Sequence, residues 1–140
     1  MTKKYDLHCH STASDGVLSP TELVHRAYAQ GVNVLALCDH DTIAGIDEAE
    51  IAAKEVGIEL ITGVEISTNW ERRGIHIVGL NFDKIHSKMT ALLQSQKALR
   101  EKRAVEIGDK LEKAGIPHAY EGAKALADGE VTRAHYARYL

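Results

Sequence analysis

Residues 32–40 read VNVLALCDH, an apolar run of strand length that ends on an aspartate and a histidine. Working outward from it, the chain alternates. Upstream, SPTE at 19–22 starts a helix, with Ser19 as N-cap, Pro20 at N1 and Glu22 completing a capping box. That helix runs to about Gln30 and Gly31 stops it. Before it, Tyr5–Cys9 reads as a short strand. Downstream, a second helix covers about 44–56 and ends at Gly57. IELITGVEIS at 58–67 reads as one strand or two short ones, and GIHIVGL at 74–80 as another. A long helical stretch follows from about 86 to 114, closed by Gly115 and Pro117, with shorter helices over 119–127 and 133–140. The order β-α-β-α-β-β-α predicts an α/β fold with a mainly parallel sheet or barrel. In such folds the chemistry gathers at the carboxyl ends of the strands.

Size and charge narrow the field. The 140 residues suffice for one ordinary domain with a real core. With 44% hydrophobic and 26% charged residues, the chain should be globular. A net charge of −3 argues against broad nonspecific nucleic-acid binding and leaves room for a local basic site. No apolar run approaches membrane-span length, and MTKKYDLH lacks the apolar core of a signal peptide. Cys9 and Cys38 form no disulfide pattern, so a reducing cytoplasm is the expected setting. No stable protein partner is evident.

The polar clusters sit at or near strand ends. In DLHCHSTASDG (6–16), Asp6, His8 and His10 share one strand face, and Leu7 and Cys9 share the other. In LALCDHD, His40 shares a face with Ala36 and Cys38. Glu65 follows Ile61 and Gly63 along its strand, and His76 shares a face with Val78 and Leu80. Four strands can therefore send polar tips to one place. A lone buried histidine is usually structural. Two imidazoles at H-x-H spacing, joined by His40 and Glu65, point instead to a metal centre. Imidazole plus carboxylate suits Mn²⁺, Fe²⁺ or Zn²⁺ better than Mg²⁺ or Ca²⁺. Glu65 and Asp15 have enough oxygens to bridge two ions and are the candidate catalytic carboxylates. Asp15 also reads as part of an Asp-Gly turn. Asp39 reads as an outer partner of the site or a cap for the next helix. Cys9 and Cys38 read as core thiols, and His25, His86 and His118 as surface or helix residues.

The motifs DLHCHSTASDG, LALCDHDT, GVEIS and HIVGLNFD, with TRAHYARYL at the end, resemble those of the PHP (polymerase and histidinol phosphatase) superfamily. Within it they are most similar to the 3′,5′-nucleoside bisphosphate phosphatases and 5′→3′ exoribonucleases. The resemblance implies a distorted β/α barrel holding two or three divalent ions, Mn²⁺ favoured and Fe²⁺ or Zn²⁺ as alternatives. By motif, it implies ligands at His8, His10, Asp15, His40, Glu65 and His76. Family members continue past the equivalent of Leu140, with an HPGR-like and an Asp-x-His motif that supply further ligands. Neither motif occurs here. The barrel is therefore expected to be incomplete in this chain, with 1–85 forming its N-terminal β/α part and 86–140 a helical insertion of the same domain.

The long helix carries an anomaly. Leu92, Leu99, Ile107 and Leu111 define an apolar stripe at helical spacing, with Arg103 inside it and Arg100 at its border. An arginine facing the protein needs an anion. That anion is either a structural carboxylate or a phosphate gripped bidentately. VTRAH places Arg133 in the first turn of a helix capped by Thr132, where a basic residue is normally disfavoured. A shared anion would explain the placement. The resemblance implies that the REKR segment and the arginine of TRAH contact substrate phosphate, with His135 a further candidate. The implied activity is metal-dependent hydrolysis of phosphate from nucleoside 3′,5′-bisphosphates or at the 5′ end of short RNA. The alternatives are a histidinol-phosphate type of phosphatase and a non-catalytic metal-binding module. No aromatic stacking platform is evident, with Trp70, Phe82 and Tyr136 as candidates for base stacking.

Overall fold

The computed structural model describes residues 2–140. The elements in chain order are β1 (Tyr5–Cys9), α1 (Pro20–Ala29), β2 (Val34–Leu37), α2 (Ile46–Val56), β3 (Glu59–Trp70), β4 (Arg73–Leu80), α3 (Ser87–Lys113), α4 (Ala119–Leu126) and α5 (Arg133–Tyr139). The expected order holds throughout. IELITGVEIS belongs to a single strand that runs on to Trp70. The α1 cap is as expected: Ser19 accepts from the Glu22 N–H and Glu22 returns to the Ser19 N–H.

The strands form one sheet in the order β1-β2-β3-β4. β1, β2 and β3 are parallel, and β4 returns antiparallel to β3 through a hairpin. All four β2 residues are buried, which is why that run shows no polar alternation. α1 and α2 pack on one side of the sheet, where Val24, Ile46, Ala49, Ala52 and Ala53 meet Leu35, Leu37 and Ile58. The sheet does not close within the described residues. Its edges are β1 and β4, and Tyr5, Leu7, Ile75, Ile77, Val78 and Leu80 along them are exposed.

Gly63 marks a close approach inside β3. A Cβ there would lie 2.6 Å from Cys38 Sγ and 2.7 Å from the Leu37 carbonyl oxygen. The carbonyl belongs to the buried β2 backbone and cannot yield. Gly63→Ala is therefore expected to cost about 1–3 kcal/mol in urea unfolding, the usual penalty for overpacking.

The stripe on α3 is corrected by the structure. The buried residues of α3 are Arg100, Ala104 and Gly108, while Leu92 and Leu99 are exposed. Small side chains at four-residue spacing let the helix approach α4 and α5 closely, and the Tyr136 hydroxyl donates to the Ala104 carbonyl at 2.5 Å. Ile107 and Leu111 join that cluster as expected; Leu92 and Leu99 have no partner surface among the described residues. Arg100, read as bordering the stripe, lies in the buried row, and Arg103 is half-buried beside it.

Candidate metal centre and phosphate site

The strand ends deliver their polar side chains to one point. β3 runs past the end of β2, so Glu65 stands level with His40, and the two residues form a parallel bridge. The Asp41 N–H donates to the Glu65 carbonyl and the Glu65 N–H to the Asp39 carbonyl, which fixes this level. His76 on β4 pairs with Ser67 and sits diagonally across from Glu65. A register irregularity between Asp6 and Cys9 ends regular β1 pairing just before His10.

Glu65 is the centre of the cluster. Its Oε2 lies 2.9 Å from His10 Nε2, 3.2 Å from His8 Nε2 and 3.4 Å from His40 Nδ1, and its Oε1 lies 3.0 Å from His76 Nδ1. Asp15 forms a second focus, 3.1 Å from His10 Nδ1 and 3.2 Å from His40 Nε2. Neighbouring rings stand close, with centroids 4.5 Å apart for His10–His40, 5.1 Å for His8–His10 and 5.2 Å for His40–His76. Every ligand residue read from the sequence is therefore present in one cluster. Asp15 is part of it as well as of a turn.

This donor set fits divalent cations. His8 Nε2 and His10 Nε2 face each other at 3.1 Å. His40 Nδ1 is buried without a hydrogen-bond partner among the described residues. Burial lowers the His40 pKa below its usual value, which favours the neutral, ligating form. Burial alone would raise the Glu65 pKa, but hydrogen bonds from His8 and His76 and the charges of His40 and His10 bring it below the ordinary carboxylate value. Three sets of residues can each surround an ion: His8, His10 and Glu65; His10, Asp15 and His40; and His40, Glu65 and His76.

Of the two roles read for Asp39, the contacts match an outer partner of the site rather than a cap for the next helix. Asp39 is buried and accepts from the Ser11 N–H, the Ser11 hydroxyl and the Ser14 hydroxyl, each at 2.7 Å. It thus anchors the loop that carries Asp15. The cysteines are core residues as read. Burial pushes the Cys9 thiol up to about 12 and the Cys38 thiol up to about 11, so both stay protonated.

The arginines divide. Arg100 is buried, and its Nε donates to Asp41 Oδ2 and its Nη2 to Ser67 Oγ. The structural carboxylate foreseen for an inward arginine is thus Asp41, and it engages Arg100. Arg103 has no ion pair or hydrogen bond among the described residues. Burial, then the neighbouring Arg100 and Arg133 charges, lower its pKa from the usual value, with Asp41 the only opposing influence. His135 is buried at the N3 position of α5, where its Nδ1 accepts from the Thr132 N–H at 2.9 Å. Burial lowers its pKa as well. Tyr136 is buried, and Trp70 lies on the sheet face opposite Glu65 by strand alternation.

The sequence reading missed several residues. Asp41, Ser67 and Gln96 form a network with Arg100, and Arg138 Nη2 donates to the Asp15 carbonyl at 3.0 Å. The Asp-after-His order in CDHD was visible, but no short-range pattern links Asp41 to a helix 59 residues on.

Comparison with known proteins settles the family. A family model for the PHP domain matches residues 6–135. The chain belongs to the PHP domain family. It is 96% identical over 140 residues to a 5′-3′ exoribonuclease of Haemophilus influenzae, covering all of this chain and 51% of that protein. It is 44% identical over 137 residues to a 3′,5′-nucleoside bisphosphate phosphatase of Chromobacterium violaceum, covering 96% of this chain and 48% of that protein. Among solved structures, an amidohydrolase from Chromobacterium violaceum with bound sulfate and no metal matches with a TM-score of 0.93 and 43% identity, over 98% of this chain and 49% of that one. This PHP chain thus spans about half the length of the relatives it matches, in keeping with its open, half-barrel sheet. No helix among the described residues is long and apolar enough to cross a membrane.

Proposed function

We propose that this PHP chain carries the metal-binding half of a phosphoesterase acting on nucleoside 3′,5′-bisphosphates or the 5′ end of short RNA. The observation that carries this reading is the convergence of four imidazoles on the Glu65 carboxylate, with ring nitrogens 2.9–3.4 Å from its oxygens. His8, His10, Asp15, His40, Glu65 and His76 would hold divalent ions, with Mn²⁺ favoured and Fe²⁺ or Zn²⁺ as alternatives. When bound, such ions supply Lewis-acid polarisation of a phosphate and an activated water. Asp15 and Glu65, each facing more than one imidazole, keep the ligands oriented and would serve as the bridging carboxylates. The substrate class draws on the names of the relatives that match over nearly the whole chain.

Arg103 and Arg133 would grip a second phosphate or the nucleotide 5′ end, turning recognition into positioning. Support comes from the unpaired, half-buried Arg103 and from its proximity to Arg133. The sulfate held by the Chromobacterium structure fits a fold that takes tetrahedral oxyanions. His135 holds the start of the helix that carries Arg133 and is a further candidate contact for that phosphate. The free thiols of Cys9 and Cys38 suit a reducing cytoplasm.

The chain supplied with Mn²⁺ and adenosine 3′,5′-bisphosphate is expected to release inorganic phosphate, and a chelator should abolish the release. The rate should fall well below that of the Haemophilus relative, measured side by side. Release unaffected by chelation would contradict the reading, as would a preference for histidinol phosphate or an absence of release from both proteins.

A further inference from the structure

The described residues hold two apolar clusters that share no side chain. One joins the sheet to α1 and α2; the other joins α3, α4 and α5 around Ala104, Ala123 and Tyr136. The metal cluster belongs to the first body and Arg103 to the second. Polar contacts connect them. Arg100 and Gln96, one helical turn apart on α3, both reach Asp41 and Ser67 on the sheet side.

We infer that Asp41, Arg100 and Gln96 form a positioning clamp that sets the distance between the metal-binding cluster and the Arg103 guanidinium, and so determines how strongly the site prefers substrates carrying two phosphates. The inference rests on the phosphoesterase reading above. Asp41 is bound to the metal side through its backbone: it follows His40 and donates its N–H to the Glu65 carbonyl. Its backbone is left-handed, with φ 53°, an unusual conformation for a non-glycine residue and one that tertiary contacts must hold. Its side chain is completely buried and accepts from the Ser67 N–H at 2.8 Å, Gln96 Nε2 at 2.9 Å and Arg100 Nε. Ser67, held by the same two α3 residues, is the cross-strand partner of His76. The clamp therefore touches the neighbours of His40, Glu65 and His76 together.

On the other side, Arg103 lies three residues after Arg100 on one continuous helix. Any slide of α3 against the sheet carries Arg103 with it. Apolar contact would tolerate such a slide, whereas a guanidinium held at two nitrogens by different acceptors is directional. A ligand with two phosphates gains from engaging both ends only when the span between the two sites matches its own. A ligand with one phosphate has no such requirement.

The test uses Arg100→Lys, which keeps the charge but loses the two-point grip, and Gln96→Leu, which leaves the ion pair in place. Binding of hydrolysis-resistant phosphonate analogues of adenosine 3′,5′-bisphosphate and adenosine 5′-monophosphate is measured by calorimetry on the Mn²⁺-loaded chain. The expected result is a roughly tenfold fall in the preference for the bisphosphonate, with the monophosphonate Kd and the metal content unchanged. In an Arg103→Ala background the same substitutions should have no further effect on that preference. If Arg100→Lys does not fold, Gln96→Leu alone decides the question by the same ratio. Equal weakening of both ligands, or a lowered melting temperature with an unchanged ratio, overturns the clamp. An unaltered chain with no preference for the bisphosphonate overturns the two-phosphate reading itself.

Discussion

Glu65→Gln is expected to lower the affinity of the chain for Mn²⁺ or Zn²⁺ by roughly a hundredfold or more. Loss of an outer-shell partner alone costs about ten- to a hundredfold, and Glu65 lies at the centre of the cluster. The substitution preserves shape and keeps one acceptor oxygen, so the effect isolates the charge. Four imidazoles surround this carboxylate, and without its charge they present only neutral donors to an ion held partly out of water. Elemental analysis after dialysis would show the loss, and His8→Ala combined with His10→Ala should give the same outcome. Metal content that survives both changes would mean that the ions lie elsewhere. The fold should persist, because the Glu65 backbone rather than its side chain bonds to Asp39 and Asp41.

Arg103→Ala is expected to weaken binding and turnover of a nucleoside bisphosphate by roughly tenfold to over a hundredfold, since charge-assisted hydrogen bonds contribute about 1.5–3 kcal/mol each. Arg133→Ala should act in the same direction. Stability discriminates between the two roles an inward arginine can have. An Arg103 paired with an internal carboxylate would, on removal, cost about 3–5 kcal/mol. The observed Arg103 has no such partner among the described residues and lies near the like charges of Arg100 and Arg133. Its removal should leave the melting temperature unchanged or raise it. Lys102 is exposed on the same turn and serves as the control, so Lys102→Ala should change neither binding nor stability. Equal harm to bisphosphate and monophosphate ligands would contradict the second-phosphate role.

The contrast between Arg103 and Arg100 shows where sequence reading succeeds and where it stops. The strands and their polar ends were legible because periodicity and strand-end placement are local properties. VNVLALC, GVEIS and GIHIVGL each declare a strand, and H-x-H spacing brings two imidazoles to one face. The length of β3 was less clear, because its pairing with β4 carries it past the apolar run to Trp70. On α3 the stripe held only at Ile107 and Leu111, for a physical reason. Counting leucines located a stripe, but the helix packs through Ala104 and Gly108, whose small size permits close approach to α4 and α5. Hydrophobicity does not register that kind of contact. Which arginine found the carboxylate depended on Asp41, whose left-handed backbone and distant partner leave no local signature. For Asp39 the choice between an outer partner and a helix cap stayed open, because the loop it anchors lies 28 residues upstream at Ser11.

This half of a PHP fold is proposed to organise a metal centre around Glu65. The most direct test is a crystal structure of the chain soaked in Mn²⁺, with anomalous scattering recorded above and below the manganese edge. Peaks are expected at bonding distance from Glu65 and from the ring nitrogens of His8 and His10, with further density between His40 and Asp15 or His76. Anomalous peaks confined to other parts of the surface, with the four imidazoles bonded only to Glu65 and to one another, would contradict this proposal.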